Sequence, residues 1–312
     1  MTNKGLLNLP IFLAAALPLS LAQRITIDPL PGLKPPPQRR PAIRVDSNLV
    51  LVPVAVADQR NHPVTGLGKE NFRVFDEGAE QTITSFAMDD EPVAVGLIFD
   101  QSGSVGRAME PEATATRLFL HISNPEDEFF LVIFASHPEL TLPLTREPEK
   151  IQDRIFTIKS GGATALYDAV ILGLQELKKS KLSRKALLVV SDGGENDSRY
   201  SQAELRNRVE ENDVLIYAVC VRTHDTDFPL LRWMAELSGG RAFLSGAIDI
   251  QDAVARIGLE LRNRYVLGFA AGGILRDGKY HRLRVQLVPP HGMPPLKASW
   301  RRGYRAPGGP VQ

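Results

Sequence analysis

The chain is poor in cysteine, in excess charge of either sign and in long apolar runs, and each shortage narrows the possible classes of protein. Cys220 is the one cysteine among 312 residues, so an internal disulfide and a thiolate-based zinc site are excluded. The formal net charge of +1 gives no reason to expect nucleic acid or an anionic membrane as the main partner. After the N-terminal segment no stretch is long and apolar enough to cross a bilayer, so we expect no membrane span in the mature chain.

The N-terminal residues have the pattern of a secretory signal peptide. Lys4 supplies positive charge, residues 11–21 form a short apolar core, and Ser20-Leu21-Ala22 is an acceptable cleavage site. We therefore predict a cleavable signal peptide over residues 1–22 and a secreted or periplasmic location. An uncleaved anchor is the alternative, although the apolar core is short compared with the ~20 residues of a membrane span. Residues 23–44 are rich in proline and are predicted to be an extended linker.

Hydrophobic periodicity divides the rest of the chain. Residues 45–90 and 265–305 alternate apolar and polar positions, as expected of strands with one buried face, and residues 81–86 and 298–304 are each predicted as one strand. Residues 91–264 instead alternate short apolar runs with amphipathic helical segments. This pattern predicts a doubly wound, mostly parallel sheet covered by helices on both faces.

The two β segments are each too small to bury a core alone, so we expect them to pair with each other. The predicted architecture is an α/β domain over residues 91–264, inserted in a small β-sandwich that residues 45–90 and 265–305 form together. Residues 306–312 are a short tail. Two separate β appendages packed on the α/β domain are the alternative.

Three polar loops lie at the ends of the predicted α/β elements. Asp100-Gln-Ser-Gly-Ser104 follows the first buried strand, residues 161–165 precede an amphipathic helix, and residues 191–194 follow another buried strand. The carboxyl ends of parallel strands lie on one edge of a doubly wound sheet, and ligands bind at that edge. We therefore expect Asp100 and Asp192 to converge there, although they are far apart in the sequence.

The side chains of these loops offer only oxygen donors. Asp100 and Asp192 carry carboxylates, and Ser102, Ser104 and Thr164 carry hydroxyls. Hard divalent cations prefer such donors. The sequence therefore predicts a site for Mg²⁺, or for Mn²⁺ or Ca²⁺, and it offers no catalytic residue.

This pattern resembles the metal-ion-dependent adhesion site of von Willebrand factor A domains. Asp-x-Ser-x-Ser, a later Thr and a later Asp followed by Gly occur in the family's order, and the resemblance covers roughly residues 93–262. It implies that the three hydroxyls bind the ion directly and that the two carboxylates bind it directly or through water. It also implies a protein partner that supplies an Asp or Glu to the free coordination position. The flanking segments resemble those of secreted bacterial proteins related to this family.

The sequence therefore predicts an extracytoplasmic protein-binding module, for adhesion or assembly, that is not an enzyme. One alternative is a metal-independent scaffold whose sandwich supplies the interaction surface. A phosphotransferase or hydrolase is another, but a phosphotransferase of the haloacid-dehalogenase type needs a second Asp where Ser102 lies. No Walker-type Gly-Lys-Ser/Thr loop occurs, and Ser102 and Ser104 lack the Gly-x-Ser-x-Gly frame of a hydrolase nucleophile.

The residues after the third loop are open to two interpretations. Glu195, Asn196 and Asp197 either form a network behind the metal ligands or belong to a solvated loop that approaches a helix. The solvated loop is the favoured interpretation.

Overall fold

The computed structural model describes residues 49–89, 91–103, 109–121, 123–155, 161–224, 226–246, 248–270 and 277–306. These residues all fall within one compact unit. The predicted signal peptide and linker lie outside them, so their boundaries stay predictions. None of the described helices combines the length and the apolar character that a membrane span requires.

The elements of the described residues are numbered in chain order. The strands are β1 Leu49–Ala57, β2 Phe72–Asp76, β3 Ala79–Gln81, β4 Ile83–Asp89, β5 Val93–Asp100, β6 Glu128–Phe134, β7 Pro138–Thr145, β8 Arg184–Ser191, β9 Leu215–Cys220, β10 Ala242–Leu244, β11 Arg264–Ala270, β12 Tyr280–Leu287, β13 Lys297–Trp300 and β14 Gly303–Arg305. The helices are α1 Met109–His121, α2 Pro148–Ile155, α3 Leu166–Leu177, α4 Gln202–Glu211, α5 Phe228–Ser238 and α6 Ile250–Arg262.

A six-stranded sheet in the order β10-β9-β8-β5-β6-β7 forms the centre of the α/β part. The strands β5, β6, β8, β9 and β10 are parallel, whereas β7 is antiparallel to β6 at the edge. All eight residues of β5 are buried, which explains why its sequence is a continuous apolar run and does not alternate. The mixed, mostly parallel sheet confirms the predicted fold class; the edge strand β7 was not predicted.

Helices cover both faces of this sheet. In β5, Val95, Leu97 and Phe99 pack into a core with α1, α2 and α6, whereas Ala94 and Ile98 pack into a second core with α3, α4 and α5. Full burial of one large apolar side chain contributes roughly 1.5–3 kcal/mol, so the two cores hold the sheet rigidly between the helices.

The flanking segments form two four-stranded antiparallel sheets, in the orders β13-β1-β11-β4 and β14-β12-β2-β3. In the first sheet β1 pairs with β11, and in the second β2 pairs with β12, so each sheet joins strands from both sides of the α/β part. Their inner faces share one core, which includes Val52, Val74, Leu267 and Phe269. The predicted insertion of the α/β domain in a sandwich built by both flanks is confirmed.

Two strands of the sandwich are shorter than predicted because the chain changes sheets within them. Residues 298–304 were predicted as one strand, but β13 belongs to the first sheet and β14 to the second. Similarly, β3 and β4 lie in different sheets on either side of Thr82. Crossing from one sheet to the other at a corner interrupts strand pairing, while the local sequence keeps its strand-like composition.

Candidate metal centre

The central strands β5 and β8 lie side by side at the point where the order of the sheet reverses. From β5 the chain moves outward to β6 and β7, and from β8 it moves outward to β9 and β10 on the other side. The parallel register pairs Phe99 with Val190, so Asp100 and Ser191 follow at the carboxyl ends of the two strands. Open α/β sheets bind ligands in the crevice at such a reversal.

Asp100 is buried at this edge and is held on both carboxylate oxygens. Its Oδ1 accepts a 2.8 Å hydrogen bond from the backbone N–H of Ser102, and its Oδ2 accepts a 2.6 Å hydrogen bond from the Ser191 hydroxyl. Burial raises the pKa of Asp100, the hydrogen bonds from Ser102 and Ser191 oppose this rise, and the nearby carboxylate of Asp192 adds to it. The two aspartates are therefore close enough to repel each other.

Asp192 follows β8 directly and is also buried. Its Oδ1 accepts a 3.0 Å hydrogen bond from the backbone N–H of Gly194, and its Oδ2 accepts a 2.8 Å hydrogen bond from the hydroxyl of Thr223. These donors are neutral, as are Ser102 and Ser191 at the other carboxylate. Buried negative charge is stable only when it is paired or bound to a cation, and neutral donors compensate it in part.

Thr164 approaches the same space from the loop before α3. A Cβ added at Gly194 would lie 3.2 Å from Asp192 Oδ1 and 3.7 Å from Thr164 Oγ1. Both oxygens therefore border the space beside Gly194, although they belong to different loops. The absence of a side chain at Gly194 keeps that space open.

Backbone hydrogen bonds tie the loop that carries Thr164 to the loop that follows β5. The N–H of Gly161 donates to Gln101 O at 2.8 Å, and the N–H of Gly103 donates to Gly162 O at 3.3 Å. The two loops therefore hold each other in place at the edge of the sheet.

Four of the five predicted ligands reach this edge, and Ser104 lies outside the described residues. Asp100, Ser102, Thr164 and Asp192 are exposed by 1%, 1%, 4% and 0%. Two carboxylates and two hydroxyls make a pure oxygen donor set, which fits a hard divalent cation. Within the described ranges no three His, Cys, Asp or Glu residues group as a metal site, so the hydroxyls are essential to any site here.

The segment after the third loop supports Thr164 from behind. The side-chain Oδ1 of Asn196 accepts a 2.9 Å hydrogen bond from the Thr164 N–H. In return, the backbone N–H groups of Asn196 and Asp197 donate to Thr164 O at 3.0 and 3.2 Å. These residues are a support for Thr164 and not only the solvated loop that the sequence favoured.

The same segment caps the helix that Thr164 precedes. Glu195 Oε2 and Ser198 Oγ accept hydrogen bonds of 2.9 and 3.0 Å from the N–H of Tyr167 in the first turn of α3. The residue at the N-cap position of α3, Ala165, has no side chain that can do so. Because the capping residues lie about 30 positions further along the chain, no local sequence pattern before α3 predicts these caps.

Gly193 sets the path of the chain behind Asp192. Its φ of +87° is in the left-handed region, and a Cβ added there would lie 2.3 Å from Asp227 O. The N–H of Asp227 in turn donates a 2.8 Å hydrogen bond to Asp192 O. Only glycine permits both the left-handed φ and the close approach to Asp227 O, so Gly193 fixes the backbone position from which the Asp192 side chain extends.

The supporting roles of Ser191 and Thr223 were not predicted from the sequence. Ser191 ends β8, and Thr223 lies three positions beyond the end of β9, so both are at the carboxyl edge of the sheet. The signal in the sequence was that each residue lies at or just after the end of a parallel strand. Such a position places the residue at the carboxyl edge of the sheet, but it does not predict which acceptor its hydroxyl binds.

The fold and this edge define an α/β domain with an oxygen-rich crevice at the reversal of its sheet. Residues 95–195 match the family model of the von Willebrand factor type A domain. This match lies within the α/β part of the chain, and the matched residues span all five predicted ligands. No curated protein sequence matches the chain.

Several solved structures are similar to the chain at low sequence identity. A von Willebrand factor type A protein from Catenulispora acidiphila is 11% identical with a TM-score of 0.49, and the match covers 75% of each chain. An aerotolerance-related membrane protein from Bacteroides fragilis is 13% identical with a TM-score of 0.47, covering 54% of this chain and 98% of that one. Proximal thread matrix protein 1 from the mussel byssus, with a zinc-occupied MIDAS motif, is 16% identical with a TM-score of 0.46, covering 59% and 48%.

Proposed function

We propose that the α/β domain binds a divalent cation, Mg²⁺ or alternatively Mn²⁺ or Ca²⁺, and uses it to hold a carboxylate of a protein partner. The residues that would hold the ion are Asp100, Ser102, Ser104, Thr164 and Asp192. The proposal depends on one observation: two buried carboxylates with neutral donors meet hydroxyl groups at the reversal of the sheet. When bound, the ion supplies a positive centre that accepts an Asp or Glu side chain from the partner.

The residues of this site would have different roles in binding the ion. Asp100 and Asp192 provide the negative charge, and Thr164 provides a neutral oxygen on the opposite loop. Asn196 and Thr223 orient Thr164 and Asp192 through hydrogen bonds of 2.9 and 2.8 Å. Because loss of a residue that orients a metal ligand typically lowers metal affinity roughly 10- to 100-fold, these two belong to the functional unit.

The proposed setting is outside the cytoplasm. In this arrangement a signal peptide over residues 1–22 is removed and a linker over residues 23–44 leads to the folded part. We divide that part into β segments over residues 45–90 and 265–305 around the α/β domain over residues 91–264. No catalytic residue, nucleic-acid partner or membrane span is part of the proposal.

The test is to titrate Mg²⁺, Mn²⁺ and Ca²⁺ into the mature protein by calorimetry and to repeat the titration with Asp192→Ala. We expect saturable binding that the substitution abolishes. Asp213→Ala is the matched control, because Asp213 is an exposed carboxylate before β9, at the opposite edge of the sheet. An affinity unaffected by Asp192→Ala would contradict the metal centre.

Affinity capture from the source organism's envelope and medium, with Mg²⁺ and with EDTA, tests the second half of the proposal. We expect a partner that is lost in EDTA and lost with Asp192→Ala. A partner captured equally under all conditions would favour the metal-independent scaffold, in which the β-sandwich supplies the surface.

A further inference from the structure

A cleft of about 910 Å³ lies where the β-sandwich meets helices α4 and α5. Its walls come from β12 and β13 on the sandwich side, and from α4, the end of α5 and the following loop on the α/β side. None of the four described candidate metal ligands lines it. We call this space the junction cleft; it is separate from the candidate metal centre.

The side chains that line the junction cleft are predominantly basic. Two acidic residues line it, Glu210 and Glu236. The basic ones are Arg206, Arg241, Arg282, Arg284, Lys297 and Arg302. This excess is local, because the whole chain has a formal net charge of only +1. The cleft therefore attracts an acidic ligand in preference to a neutral or basic one.

Acidic residues of the chain neutralise only part of this charge. Glu236 Oε2 lies 3.1 Å from Arg302 Nη2, and the buried Glu260 forms an ion pair with Arg241. Glu77 Oε1 also lies 3.9 Å from Arg282 Nε. Arg206 and Arg284 instead lie over aromatic rings, with the Arg284 guanidinium 3.8 Å from the centre of the Phe75 ring. Such stacking orients a guanidinium without cancelling its charge, so these arginines can still bind a carboxylate.

On the side facing away from β2, part of the edge of β12 has backbone groups that no described strand pairs with. The N–H of Val288 donates to Asn71 O, whereas the N–H of Leu283 donates to Arg302 O on the opposite side. Backbone groups alternate in direction along a strand, so the backbone groups of Val285 and Leu287 point away from β2. Val285 lines the cleft, and Leu287 continues the same strand edge beyond the lining residues. Among the described residues β14 pairs only with Tyr280–Arg282, so no strand covers Val285 or Leu287 on that side.

We propose that the junction cleft binds an extended acidic segment of a partner protein, which adds as a short strand to the free edge of β12. Main-chain hydrogen bonds to Val285 and Leu287 fix the segment, and its alternate carboxylates meet the basic side chains, above all Arg206 and Arg284. Strand edges left open in this way are templates for pairing with another chain.

Two other occupants fit these observations less well. The chain's own proline-rich segment, residues 28–43, contains three basic residues and one acidic residue, so the cleft repels it, and its prolines lack the N–H that strand pairing needs. A polyphosphate or nucleic acid matches the charge but makes no use of the strand edge. An acidic peptide uses both features.

The probe is a fluorescein-labelled peptide of alternating threonine and glutamate, measured by fluorescence anisotropy. EDTA is present throughout, and the protein is the full mature chain carrying Asp192→Ala, so that glutamate cannot bind through a metal ion. We expect saturable binding that Arg206→Glu or Arg284→Glu weakens about tenfold. Arg208→Glu is the matched control, because Arg208 is an exposed residue of the same helix that does not line the cleft; we expect its effect to stay within about twofold.

A second arm tests strand addition. The same peptide is N-methylated at every second residue, in each of the two registers, which removes main-chain donors and keeps the charge. We expect at least one register to lose binding. The proposal would be overturned by absence of binding of the unmodified peptide, or by undiminished binding of both methylated peptides. Polyphosphate binding as tight as that of the peptide and unchanged by Arg284→Glu would also overturn it. Circular dichroism confirms that every variant is folded. Because no metal is present, failure here leaves the metal-centre proposal untouched, and the reverse also holds.

Discussion

The hydroxyl of Ser191 donates a 2.6 Å hydrogen bond to Asp100 Oδ2, and this contact joins the ends of the two central strands of the α/β sheet. The donor is neutral, and burial raises the pKa of Asp100 above its usual value. A raised native-state pKa contributes stability at low pH, where the carboxyl is protonated in both states, and the contribution is lost as the pH rises through the raised pKa. At neutral pH, the metal-free protein therefore carries the cost of a buried charge.

This cost predicts that Asp100→Asn stabilises the metal-free protein at neutral pH. Asparagine keeps the shape and an acceptor for the Ser102 N–H, but it removes the buried charge. In EDTA at pH 7 we expect its Tm to exceed that of the wild-type protein by roughly 2–4 °C, and the gap to close as the pH falls through the raised pKa of Asp100. Differential scanning calorimetry across pH is the measurement. A variant less stable than the wild type at pH 7 in EDTA would show that the negative charge is already compensated.

Thr223→Val is expected to weaken divalent-cation binding about tenfold while the protein stays folded. Valine has the same shape but removes the hydroxyl that donates to Asp192 Oδ2 at 2.8 Å, so the carboxylate loses its orientation. Calorimetric titration measures the affinity. The control is Thr84→Val, since that hydroxyl bonds Gly268 O in the sandwich and not a candidate metal ligand. Equal affinities for the Thr223 and Thr84 variants would mean that Thr223 has no positioning role.

Gly193→Ala is expected to destabilise the protein by roughly 3 kcal/mol, because the methyl group meets Asp227 O in addition to a strained φ. Gly66→Ala separates the two causes. Gly66 has a similar φ of +83°, but a Cβ there meets nothing within 4 Å, so conformational strain alone acts and the cost is about 1 kcal/mol. Urea unfolding of both variants measures the difference. Similar losses at the two positions would rule out a steric role for Asp227.

Glu260→Gln is expected to destabilise the protein by about 3 kcal/mol or more, because it leaves the fully buried guanidinium of Arg264 without its counter-charge. Glu260 Oε1 lies 3.0 Å from Arg264 Nη2 and also accepts a 2.9 Å hydrogen bond from the Tyr217 hydroxyl. Glu147→Gln is the control: its ion pair with Lys150 is exposed by more than half on both sides, so its loss costs about 0.5 kcal/mol or less. Chemical denaturation of both variants tests the contrast, and a small effect at Glu260 would argue that water reaches Arg264 in solution.

The strength of local patterns explains which features were predictable from the sequence. The apolar run of β5 is buried on both faces, so its composition alone indicates a central strand, and Asp100 at its end follows from that assignment. The edge strand β7 is only half-buried and lacks such a run, which is why it was not predicted. The interruptions at Thr82 and near Arg301 also had no signal, because strand composition is the same on both sides of each crossing.

The positions of the candidate ligands were predicted better than their supports. The order of strands and loops placed Asp100, Thr164 and Asp192 at one edge, because parallel strands share their direction. In contrast, the hydrogen bonds donated by the Thr164 N–H to Asn196 and by the Thr223 hydroxyl to Asp192 link residues more than 30 positions apart through single atoms. A periodicity of two or of 3.6 residues carries no information about such pairings.

By itself, the sequence determined the buried central strands of the α/β part, the alternating strands of its flanks and the residue types at the ends of the central strands, because these follow from local composition and period. Only the tertiary structure decided which hydroxyl meets which carboxylate, where Gly193 approaches Asp227, and how β12 and β13 open a basic cleft beside α4. Contacts of this kind depend on how distant elements pack, to within a fraction of an ångström, and packing is a property of the whole fold.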